Sequence, residues 1–473
     1  MSLQLRESQR VALERLTEPG RHFAALWAEP RSGKTAVALK WIQHVRPRVA
    51  VVVGPKIAES TWRTEAAKWL DIPYSYHSLT DGAKYPVTGM FRSTAILFVN
   101  YDQFAKRPFA KLKPFLKQMS QFCKGQGMML LDESHIIKTP NGVIGKNIRP
   151  LAADWHYRLL MTGTPVTNPS QIDAVYGQWT FLDPGIRAHW PGARDFREHF
   201  GEWTTVKGFP ELIRPIRQAE LNAYLQPNVI TMVGPGEPVP IRKINYPVPE
   251  EVRAQLKELL KEGVLEVEQK SLKRGLPKET FTVAALNPLT RLLRMRTLVA
   301  GWVKDDEGHS HTIPAAARQR LAALGSVLRR CNGKVIIAAT HTWEIKLVKR
   351  WLTRRGIGHR LITGSVQDRD RVIQDFQYDP DCKVLLVQPR TVAMAVDISV
   401  ANDLIWYSSD FNYITFKQAS DRIKLSPASP TVWFLCGKGT VDEDVWQTLM
   451  VNHDHLNTVV KRIKQQPHRP YRQ

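Results

Sequence analysis

Short apolar runs alternate with amphipathic stretches along the first part of the chain. These runs predict strands at residues 23–27, 49–53, 95–99, 128–131 and 157–161. The stretch 35–45 has the pattern of a helix between the first two strands. Continuous apolar strands separated by helices are typical of a parallel sheet that is buried on both faces. We therefore expect the first part of the chain to form an α/β domain.

The same alternation starts again near residue 314, after a region of different character. Helices are predicted at 315–330 and 343–355, and strands at 335–339, 383–387, 403–407 and 431–435. Between the two parts lie Pro and Gly interruptions up to residue 240, a charged helix at 250–274 and another helix around 291–296. We expect two α/β lobes with parallel sheets in tandem, at 1–185 and 311–455. A mainly helical insertion and linker at 186–310 would separate them, and a basic tail would occupy 456–473.

The chain carries a large excess of positive charge. Its 473 residues include 67 Lys and Arg against 44 Asp and Glu, which leaves a net charge of +23. Such an excess indicates a large acidic partner, with nucleic acid as the first candidate and an anionic membrane surface as the second. Hydrophobic residues make up 43% of the chain, which excludes wholesale disorder. The length favours two or three domains over a single core.

Nothing in the sequence predicts insertion into a membrane or export. There is no run of about 18 apolar residues, and residues 1–7 lack the apolar core of a signal peptide. The 4 cysteines lie far apart without a CxxC pair, which argues against a zinc module. We therefore expect an intracellular, cytoplasmic protein with reduced thiols, of bacterial or phage origin.

A phosphate-binding loop is predicted directly after the first strand. Residues 28–35 read AEPRSGKT, which is the P-loop pattern with alanine in the first glycine position, and a helix follows. The backbone N–H groups of such a loop cradle phosphates together with the helix N-terminus. Lys34 would reach the β- and γ-phosphates of ATP, and Thr35 would bind Mg²⁺. The predicted ATP-binding residues of this loop are Ala28, Glu29, Pro30, Arg31, Ser32, Gly33, Lys34 and Thr35.

An acidic pair, Asp132 and Glu133, ends the predicted strand 128–131 and precedes Ser134 and His135. The carboxyl end of a buried strand is where an α/β sheet binds its ligands. Asp132 would hold Mg²⁺, and Glu133 would orient and deprotonate the attacking water. The alternative is a helix boundary with Asp132 as its N-cap. The P-loop earlier in the chain favours the catalytic interpretation.

A third segment, TGTP at residues 162–165, follows the predicted strand 157–161. Taken alone, this segment is also compatible with a structural turn. Its place after the acidic pair fits a hydroxyl-rich sensor loop beside the ATP site.

These three segments in this order resemble the core of helicase superfamily 2. Their details resemble its Swi/Snf-type branch, which is related to the DEAD/H-box proteins and uses ATP to translocate on double-stranded DNA. The resemblance spans residues 5–450. It implies two RecA-like lobes, ATP and Mg²⁺ as cofactors, and double-stranded DNA as a partner that is bound without sequence specificity. It does not identify a protein partner.

Shorter motifs of that family assign further roles by resemblance. The LRESQ run at residues 5–9 resembles an adenine-side motif, so that Arg6 and Gln9 would contact ATP. The residues that would couple the ATP site to the second lobe are His135, Thr162, Gly163, Thr164 and Gln418. The residues that would contact nucleic acid are Pro55, Lys56, Trp62, Asn100 and Arg390. The helical spacing of Trp62 and Trp69 nevertheless favours packing over base stacking for both rings.

Two motifs of the second lobe depart from the family's pattern. The glycine-rich fifth motif reads VAMAVDIS at residues 392–399, so alanines stand where backbone would approach phosphate. The last motif has Arg422 in the position of its first arginine but Leu425 in that of its second. A cation here would stabilise charge at the γ-phosphate. Lys424 lies one residue from the second position, about 100° round a helix, so we expect Arg422 to be the catalytic cation.

Three classes of function remain open. The first is a DNA-stimulated ATPase that translocates on duplex DNA. The second is a strand-separating DNA or RNA helicase, and the third is a nucleic-acid-binding module whose ATPase has decayed. Intact Lys34, Asp132 and Glu133 argue against the third class, because a decayed ATPase has no physical need for all three.

Overall fold

The computed structural model describes residues 4–79, 85–86, 91–105, 109–165, 172–206, 209–269, 279–285, 287–364, 366, 368–392 and 398–465. The chain divides into two compact units, Met1–Pro235 with Asn452–Gln473 and Gly236–Val451. Each unit contains one central parallel sheet. The predicted α/β fold with two parallel-sheet lobes in tandem is confirmed.

The first unit contains a sheet of seven parallel strands in the order β3-β4-β2-β5-β6-β1-β9. Its strands are β1 (Phe23–Ala28), β2 (Val49–Gly54), β3 (Tyr74–Ser78), β4 (Thr94–Asn100), β5 (Gly127–Asp132), β6 (Tyr157–Thr162), the hairpin β7 (Gly201–Val206) and β8 (Phe209–Pro215), and β9 (Val229–Met232). Its helices are α1 (Glu7–Leu16), α2 (Lys34–Val45), α3 (Ala58–Trp69), α4 (Phe109–Cys123), α5 (Val143–Ala152), α6 (Asp173–Leu182), α7 (Ile186–His189), α8 (Ala193–Phe200) and α9 (Gln218–Leu225).

Hydrophobic side chains pack on both faces of this sheet. Every residue of β2, β4 and β5 is buried, and the two faces belong to separate apolar clusters. On one face, α2 supplies Val37 and Trp41, and on the other, α4 supplies Leu116 and Met119. Burial on both faces is why these strands have uninterrupted apolar sequences and could be predicted to within one or two residues.

The second unit contains a sheet of six parallel strands in the order β10-β19-β18-β15-β17-β16. Its strands are β10 (Ile241–Tyr246), β11 (Val264–Gln269), β12 (Glu279–Ala284), β13 (Trp302–Lys304), β14 (Ser310–Thr312), β15 (Lys334–Ala338), β16 (His359–Ile362), β17 (Val384–Val387), β18 (Ala401–Trp406) and β19 (Thr431–Gly437). Its helices are α10 (Glu250–Glu262), α11 (Pro288–Val299), α12 (Pro314–Leu328), α13 (Thr342–Thr353), α14 (Arg369–Tyr378), α15 (Pro389–Val392), α16 (Tyr413–Ser420) and α17, which spans Val441–Gln465.

The region 186–310, expected as a separate insertion, is divided between the two units at Pro235/Gly236. The reason is pairing in the sheets: β9 adds to β1 at the edge of the first sheet, and β10 adds to β19 at the edge of the second. The region also contains the hairpins β7–β8, β11–β12 and β13–β14 beside its helices. None of these short strands was predicted.

The helix expected at 250–274 ends much earlier, at Glu262. Gly263 follows in the left-handed conformation with φ of 73°, and its N–H donates to the carbonyl of Leu259. A left-handed glycine is a common way to end a helix. The chain continues as strand β11 (Val264–Gln269), so residues 264–269 are extended and not helical, while residues 270–274 of the expected helix lie outside the described part of the chain.

In the described part of the chain, no helix is long and apolar enough to span a membrane. All 4 cysteines, Cys123, Cys331, Cys382 and Cys436, are buried free thiols.

Candidate active site at the carboxyl edge of the first sheet

The predicted motifs of the first unit follow neighbouring strands of one parallel sheet. β1 leads into the phosphate-binding loop, β6 into Thr162–Gly163–Thr164, and β5 into the acidic pair. Because β1, β6 and β5 are adjacent and parallel, all three segments lie at the carboxyl edge of the sheet. This is the edge at which open α/β sheets bind ligands.

The loop between β1 and α2 has the backbone shape of an anion-binding loop. Arg31 and Gly33 both have positive φ, 62° and 82°, and Gly33 is the N-cap of α2. Left-handed residues in such a turn direct successive N–H groups into one concavity. The Ser32 hydroxyl is fully buried and has no hydrogen-bond partner among the described residues. Thr35, in the first turn of α2, is half-buried.

The start of α1 packs directly against this loop. Arg6 Nη2 donates to the carbonyls of Arg31 (3.0 Å) and Ser32 (2.7 Å), and Gln9 Nε2 donates to Ser32 O (3.2 Å). A Cβ atom on Gly33 would lie 2.0 Å from Gln9 Nε2, so only glycine fits. Arg6 and Gln9 therefore hold the loop, and their predicted contact with ATP stays a prediction.

The other loop residues are fixed by neighbouring backbone. Glu29 accepts a hydrogen bond from the Gly234 N–H (3.1 Å), just after β9, and its own N–H donates to Met232 O (3.0 Å). A Cβ atom on Gly163 would lie 3.2 Å from Ala28 O and 3.4 Å from Pro30 Cδ. The TGTP segment thus packs closely against the phosphate-binding loop.

Lys34 lies beside both acidic residues. Its Nζ is 2.5 Å from Glu133 Oε1 and 3.4 Å from Asp132 Oδ1, although the residues are about a hundred positions apart. Burial disfavours the ammonium, but the charges of Glu133 and Asp132 outweigh it and raise the pKa of Lys34. Burial likewise opposes ionisation of Glu133, but Lys34 and His135 outweigh it and lower the pKa of Glu133. Both shifts favour the charged forms of Lys34 and Glu133.

Asp132 is held in place by two aromatic residues that the sequence did not identify as its partners. Trp62 Nε1 donates to Asp132 Oδ2 (3.0 Å), and Tyr101 Oη donates to the Asp132 carbonyl (2.8 Å). The other oxygen, Oδ1, accepts from the Glu133 N–H (3.0 Å). Glu133 itself has φ of 53°, an uncommon conformation for a residue other than glycine. Such strain tends to occur at functional positions.

His135 connects the acidic pair to the TGTP segment. Its Nδ1 lies 3.3 Å from Glu133 Oε2, 3.2 Å from Thr162 Oγ1 and 3.5 Å from Thr164 Oγ1. The Thr164 N–H donates to Thr162 Oγ1 (3.1 Å), which fixes the turn. The structure thus brings together the first-unit residues that were predicted to couple ATP cleavage to motion.

The donor set at this edge fits a nucleotide with Mg²⁺. In phosphate sites Mg²⁺ takes one or two protein oxygens and completes its shell with phosphate oxygens and water. Asp132 and Thr35 supply oxygens of this type, and the positive φ of Arg31 and Gly33 gives the adjoining loop the backbone shape of an anion-binding turn. The described residues include no cluster of three or more His, Cys, Asp or Glu that would hold a metal by itself.

Two residues predicted to contact nucleic acid are buried, which corrects that prediction. Trp62 is 0% exposed and packs under Asp132, and Asn100 is 1% exposed and caps the short 3-10 helix Tyr101–Phe104 through Gln103 N–H. The spacing of Trp62 and Trp69 along α3 was the signal that favoured packing. Pro55 is half-buried and Lys56 is exposed, so both remain candidates for a nucleic-acid contact.

The candidate residues of the second unit follow strands β17 and β18 along the chain. Arg390, in α15, is exposed, whereas Gln418 in α16 and Arg422 are half-buried. Arg422 belongs to a 3-10 turn, Asp421–Ile423, because α16 ends at Ser420. The α-helical spacing assumed for Lys424 therefore does not apply, and Leu425 is 41% exposed. Residues 393–397 of the altered fifth motif lie outside the described part of the chain.

A buried pair that no motif signalled joins the two functional segments of the first unit. Ser134 Oγ donates to Gln178 Oε1 (2.9 Å), and Gln178 Nε2 donates to Pro165 O (2.8 Å). Gln178 lies in α6, far along the chain from Ser134, so sequence spacing gave no indication of this contact.

Comparison with known families agrees with these motifs. The SNF2-related domain matches residues 25–291, and the helicase conserved C-terminal domain matches residues 319–424. The resemblance predicted from the sequence is confirmed.

Curated relatives are similar over much of this chain. A probable chromatin-remodeling complex ATPase chain of Oryza sativa subsp. japonica is 23% identical over 67% of this chain and 28% of its own length. Protein CHROMATIN REMODELING 19 of Arabidopsis thaliana is 21% identical over 91% of this chain and 65% of its own length. The DNA repair and recombination protein RDH54 of Saccharomyces cerevisiae is 21% identical over 85% and 45%, respectively. The chain thus spans less than two thirds of the length of these relatives.

Among solved structures, the Sulfolobus solfataricus SWI2/SNF2 ATPase core in complex with dsDNA is similar, with 17% identity and a TM-score of 0.41. The alignment covers 98% of this chain and 94% of that one.

Proposed function

We propose that this chain, which belongs to the SNF2-related family, hydrolyses ATP at the edge of its first sheet and uses the energy to translocate on double-stranded DNA without sequence specificity. The observation that carries the proposal is the ion-paired cluster of Lys34, Asp132 and Glu133 beside the phosphate-binding loop. Phosphoryl transfer needs a cation at the phosphates and an ionised carboxylate near the attacking water, and Lys34 and Glu133 supply these two groups side by side.

ATP binding would exchange the partners of Lys34. Its ammonium leaves Glu133 for the β- and γ-phosphates, which the N–H groups of the Arg31–Gly33 turn also contact. Glu133 Oε1, which now pairs with Lys34, would then accept a proton from the attacking water. Asp132 and Thr35 would hold Mg²⁺, which would supply positive charge to offset the charge that develops on the phosphate oxygens.

His135 and the TGTP segment would transmit the state of the nucleotide. Glu133 Oε2 and Thr162 Oγ1 both lie within 3.3 Å of His135 Nδ1. If Glu133 moves when the γ-phosphate is lost, His135 moves with it, and the contact between His135 and Thr162 changes. Gln418 and Arg422 are the residues to which we assign the second unit's part, with Arg422 as the cation that stabilises the γ-phosphate during transfer.

Three features support duplex DNA as the track. The net charge of +23 favours a polyanion, and Lys56 and Arg390 are exposed cations in motifs that resemble DNA contacts. Relatives are named for chromatin remodelling and for DNA repair. A DNA partner also places the protein inside the cell.

ATP turnover measured without nucleic acid and with duplex DNA, single-stranded DNA or RNA tests this function. We expect the largest stimulation with duplex DNA. Affinity for duplex should fall with salt at a log–log slope of about −0.9 for each neutralised phosphate and differ little between sequences. Stimulation by RNA alone, or salt-independent binding, would contradict the proposal. Glu133→Gln is the control, because it should bind DNA as the parent chain does but hydrolyse no ATP.

A further inference from the structure

A buried chain of hydrogen bonds connects residues 132–135 to residues 162–165 by a second route, separate from His135. Ser134 Oγ donates to Gln178 Oε1 (2.9 Å), and Gln178 Nε2 donates to Pro165 O (2.8 Å) and to Ala174 O (3.2 Å). Ser134 is 0% exposed and Gln178 is 3% exposed. The amide oxygen of Gln178 therefore bonds to the segment 132–135, and its amide nitrogen bonds to the segment 162–165.

The helix that carries Gln178 is fixed to the acidic segment. A Cβ atom on Gly177 would lie 2.2 Å from Lys138 O, so α6 approaches the backbone there as closely as glycine permits. Arg149 Nε donates to Gly177 O (2.8 Å), and its Nη2 donates to Ile137 O (2.9 Å). Helix α6, which carries Gln178, is thus packed against residues 137–138, next to the acidic segment 132–135. The hydrogen bond from Gln178 to Pro165 then connects this helix to the TGTP segment.

Space filling does not explain an amide at this position. A leucine has a similar volume and carries no amide whose removal from water would cost free energy, so the space alone does not call for glutamine. Buried polar groups that are fully paired specify one arrangement of the elements that they join. The elements joined here are the segments that contain Glu133 and Thr162.

We propose that Gln178 is a positioning residue for ATP hydrolysis, which holds the acidic segment and the TGTP segment at a fixed separation through Ser134 and Pro165. This inference rests on the proposed ATPase function. Ser134 is covalently next to Glu133, so a change in this separation displaces the carboxylate that activates water. Displacements of about 1 Å lower rates by about 100-fold when geometry limits the reaction.

The first test separates positioning from nucleotide binding. Gln178→Leu should lower kcat for DNA-stimulated ATP hydrolysis by about 10- to 100-fold, with KM for ATP within about twofold of the parent value. The phosphate-binding loop is untouched by this change. A kcat within about twofold of the parent, for a variant that is as fully folded, overturns the inference.

The second test uses pH. In Gln178→Glu the ionised carboxylate faces the carbonyl oxygens of Pro165 and Ala174, whereas the protonated acid donates to Pro165 O and still accepts from Ser134. Turnover relative to the parent should therefore recover as pH falls from 8.5 to 6. The matched control is Gln121→Glu on the exposed side of α4, which should track the parent at every pH. If Gln178→Glu also tracks the parent, Gln178 has no positioning role.

The third test needs no catalysis, so it separates failure of this inference from failure of the proposed function. Amide exchange measured by mass spectrometry should become faster in Gln178→Leu both at 133–138 and at 162–165. Ser134→Ala should accelerate exchange at 133–138 but leave 162–165 close to the parent, because the bond from Gln178 to Pro165 remains. Faster exchange confined to α6 would show a local role and overturn the inference, even if the parent chain hydrolyses ATP.

Discussion

Each unit contains an ion pair between a cation and a carboxylate, and the two pairs differ in exposure and in role. In the first unit, the side chains of Lys34 and Glu133 are about one fifth exposed, and Lys34 has only Glu133 and Asp132 as described partners. In the second, Arg320 is 1% exposed and donates to Asp442 Oδ2 (2.8 Å), Tyr246 Oη (2.8 Å) and Tyr407 O (2.6 Å). We call the first cluster open, because its partly exposed side chains can exchange partners. We call the second cluster closed, because Arg320 is fully buried among its partners.

The difference in burial explains why the Arg320–Asp442 pair stabilises the fold, whereas the Lys34–Glu133 pair can bind a ligand. Arg320 links α12 to the ends of β10, β18 and β19, and Asp442 also accepts from the Gly437 N–H (2.9 Å). Such a pair stabilises one arrangement of its unit, and at 1% exposure Arg320 is not accessible to a ligand. Lys34 keeps its charge in an accessible position, so a phosphate can replace its carboxylate partners. Partial exposure of Lys34 therefore distinguishes the ion-paired cluster of the candidate site from the structural ion pair of Arg320 and Asp442.

The largest expected effect concerns half-buried Arg422, which we propose as the catalytic cation of the second unit. Arg422→Ala should lower DNA-stimulated turnover by about 10³- to 10⁵-fold, as expected for loss of an arginine finger. Lys424→Ala, two residues away, is the matched variant and should change turnover little. Both are measured at saturating ATP and DNA. If Lys424→Ala is the inactive variant, the catalytic cation is a lysine.

Within the open cluster, Glu133→Gln removes the base but keeps its shape. Turnover should fall by about 10²- to 10⁴-fold, the usual contribution of general base catalysis. ATP binding should persist, because Lys34 and the loop remain, whereas Lys34→Ala should weaken binding as well. Fluorescent nucleotide titration beside steady-state turnover separates the two. Equal turnover in Glu133→Gln and the parent would remove Glu133 from the mechanism.

The closed cluster should respond in stability. Arg320→Met leaves Asp442 buried with fewer partners, which typically costs about 3–5 kcal/mol. Chemical denaturation followed by a probe in the second unit measures this loss. Arg318→Met, on the exposed side of α12, is the control and should change stability by no more than about 0.5 kcal/mol. A stable Arg320→Met variant would contradict the assignment of this pair to the fold.

The smallest effect tests whether Trp62 acts through Asp132. Trp62→Phe removes the donor to Asp132 Oδ2 and should lower stability by about 1.5–3 kcal/mol, as for hydrogen bonds to charged groups. The Mg²⁺ concentration for half-maximal turnover should shift with it. Trp69→Phe is the control, since Trp69 donates to Glu65 at 2.8 Å on the same helix. An unchanged Mg²⁺ dependence in Trp62→Phe would limit Trp62 to packing.

The site of the first unit could be predicted because its chemistry follows directly from local sequence. Lys34, Asp132 and Thr162 each occur next to a buried apolar strand, and parallel pairing alone brings such strand ends to one edge. Gly263 shows the limit of this approach. The charge pattern predicted a helix as far as residue 274, but this glycine, in the left-handed conformation, ends the helix at Glu262.

Contacts between distant residues could not be predicted in the same way. Trp62 and Asn100 belong to motifs that resemble DNA contacts, but a motif does not tell which side chains are buried. The pair of Ser134 and Gln178 depends on how α6 packs, which spacing along the chain does not encode. Strands β9 and β10 are short and were missed because their place is set by the edges of the sheets that they join.

Movement along intact duplex is the central claim, and displacement of a third strand from a DNA triplex measures it directly. The parent chain should release the third strand in the presence of ATP, while a forked duplex of the same length keeps both strands paired. Glu133→Gln should release nothing. Separation of the forked duplex would indicate a strand-separating helicase, and ATP hydrolysis without release of the third strand would contradict translocation.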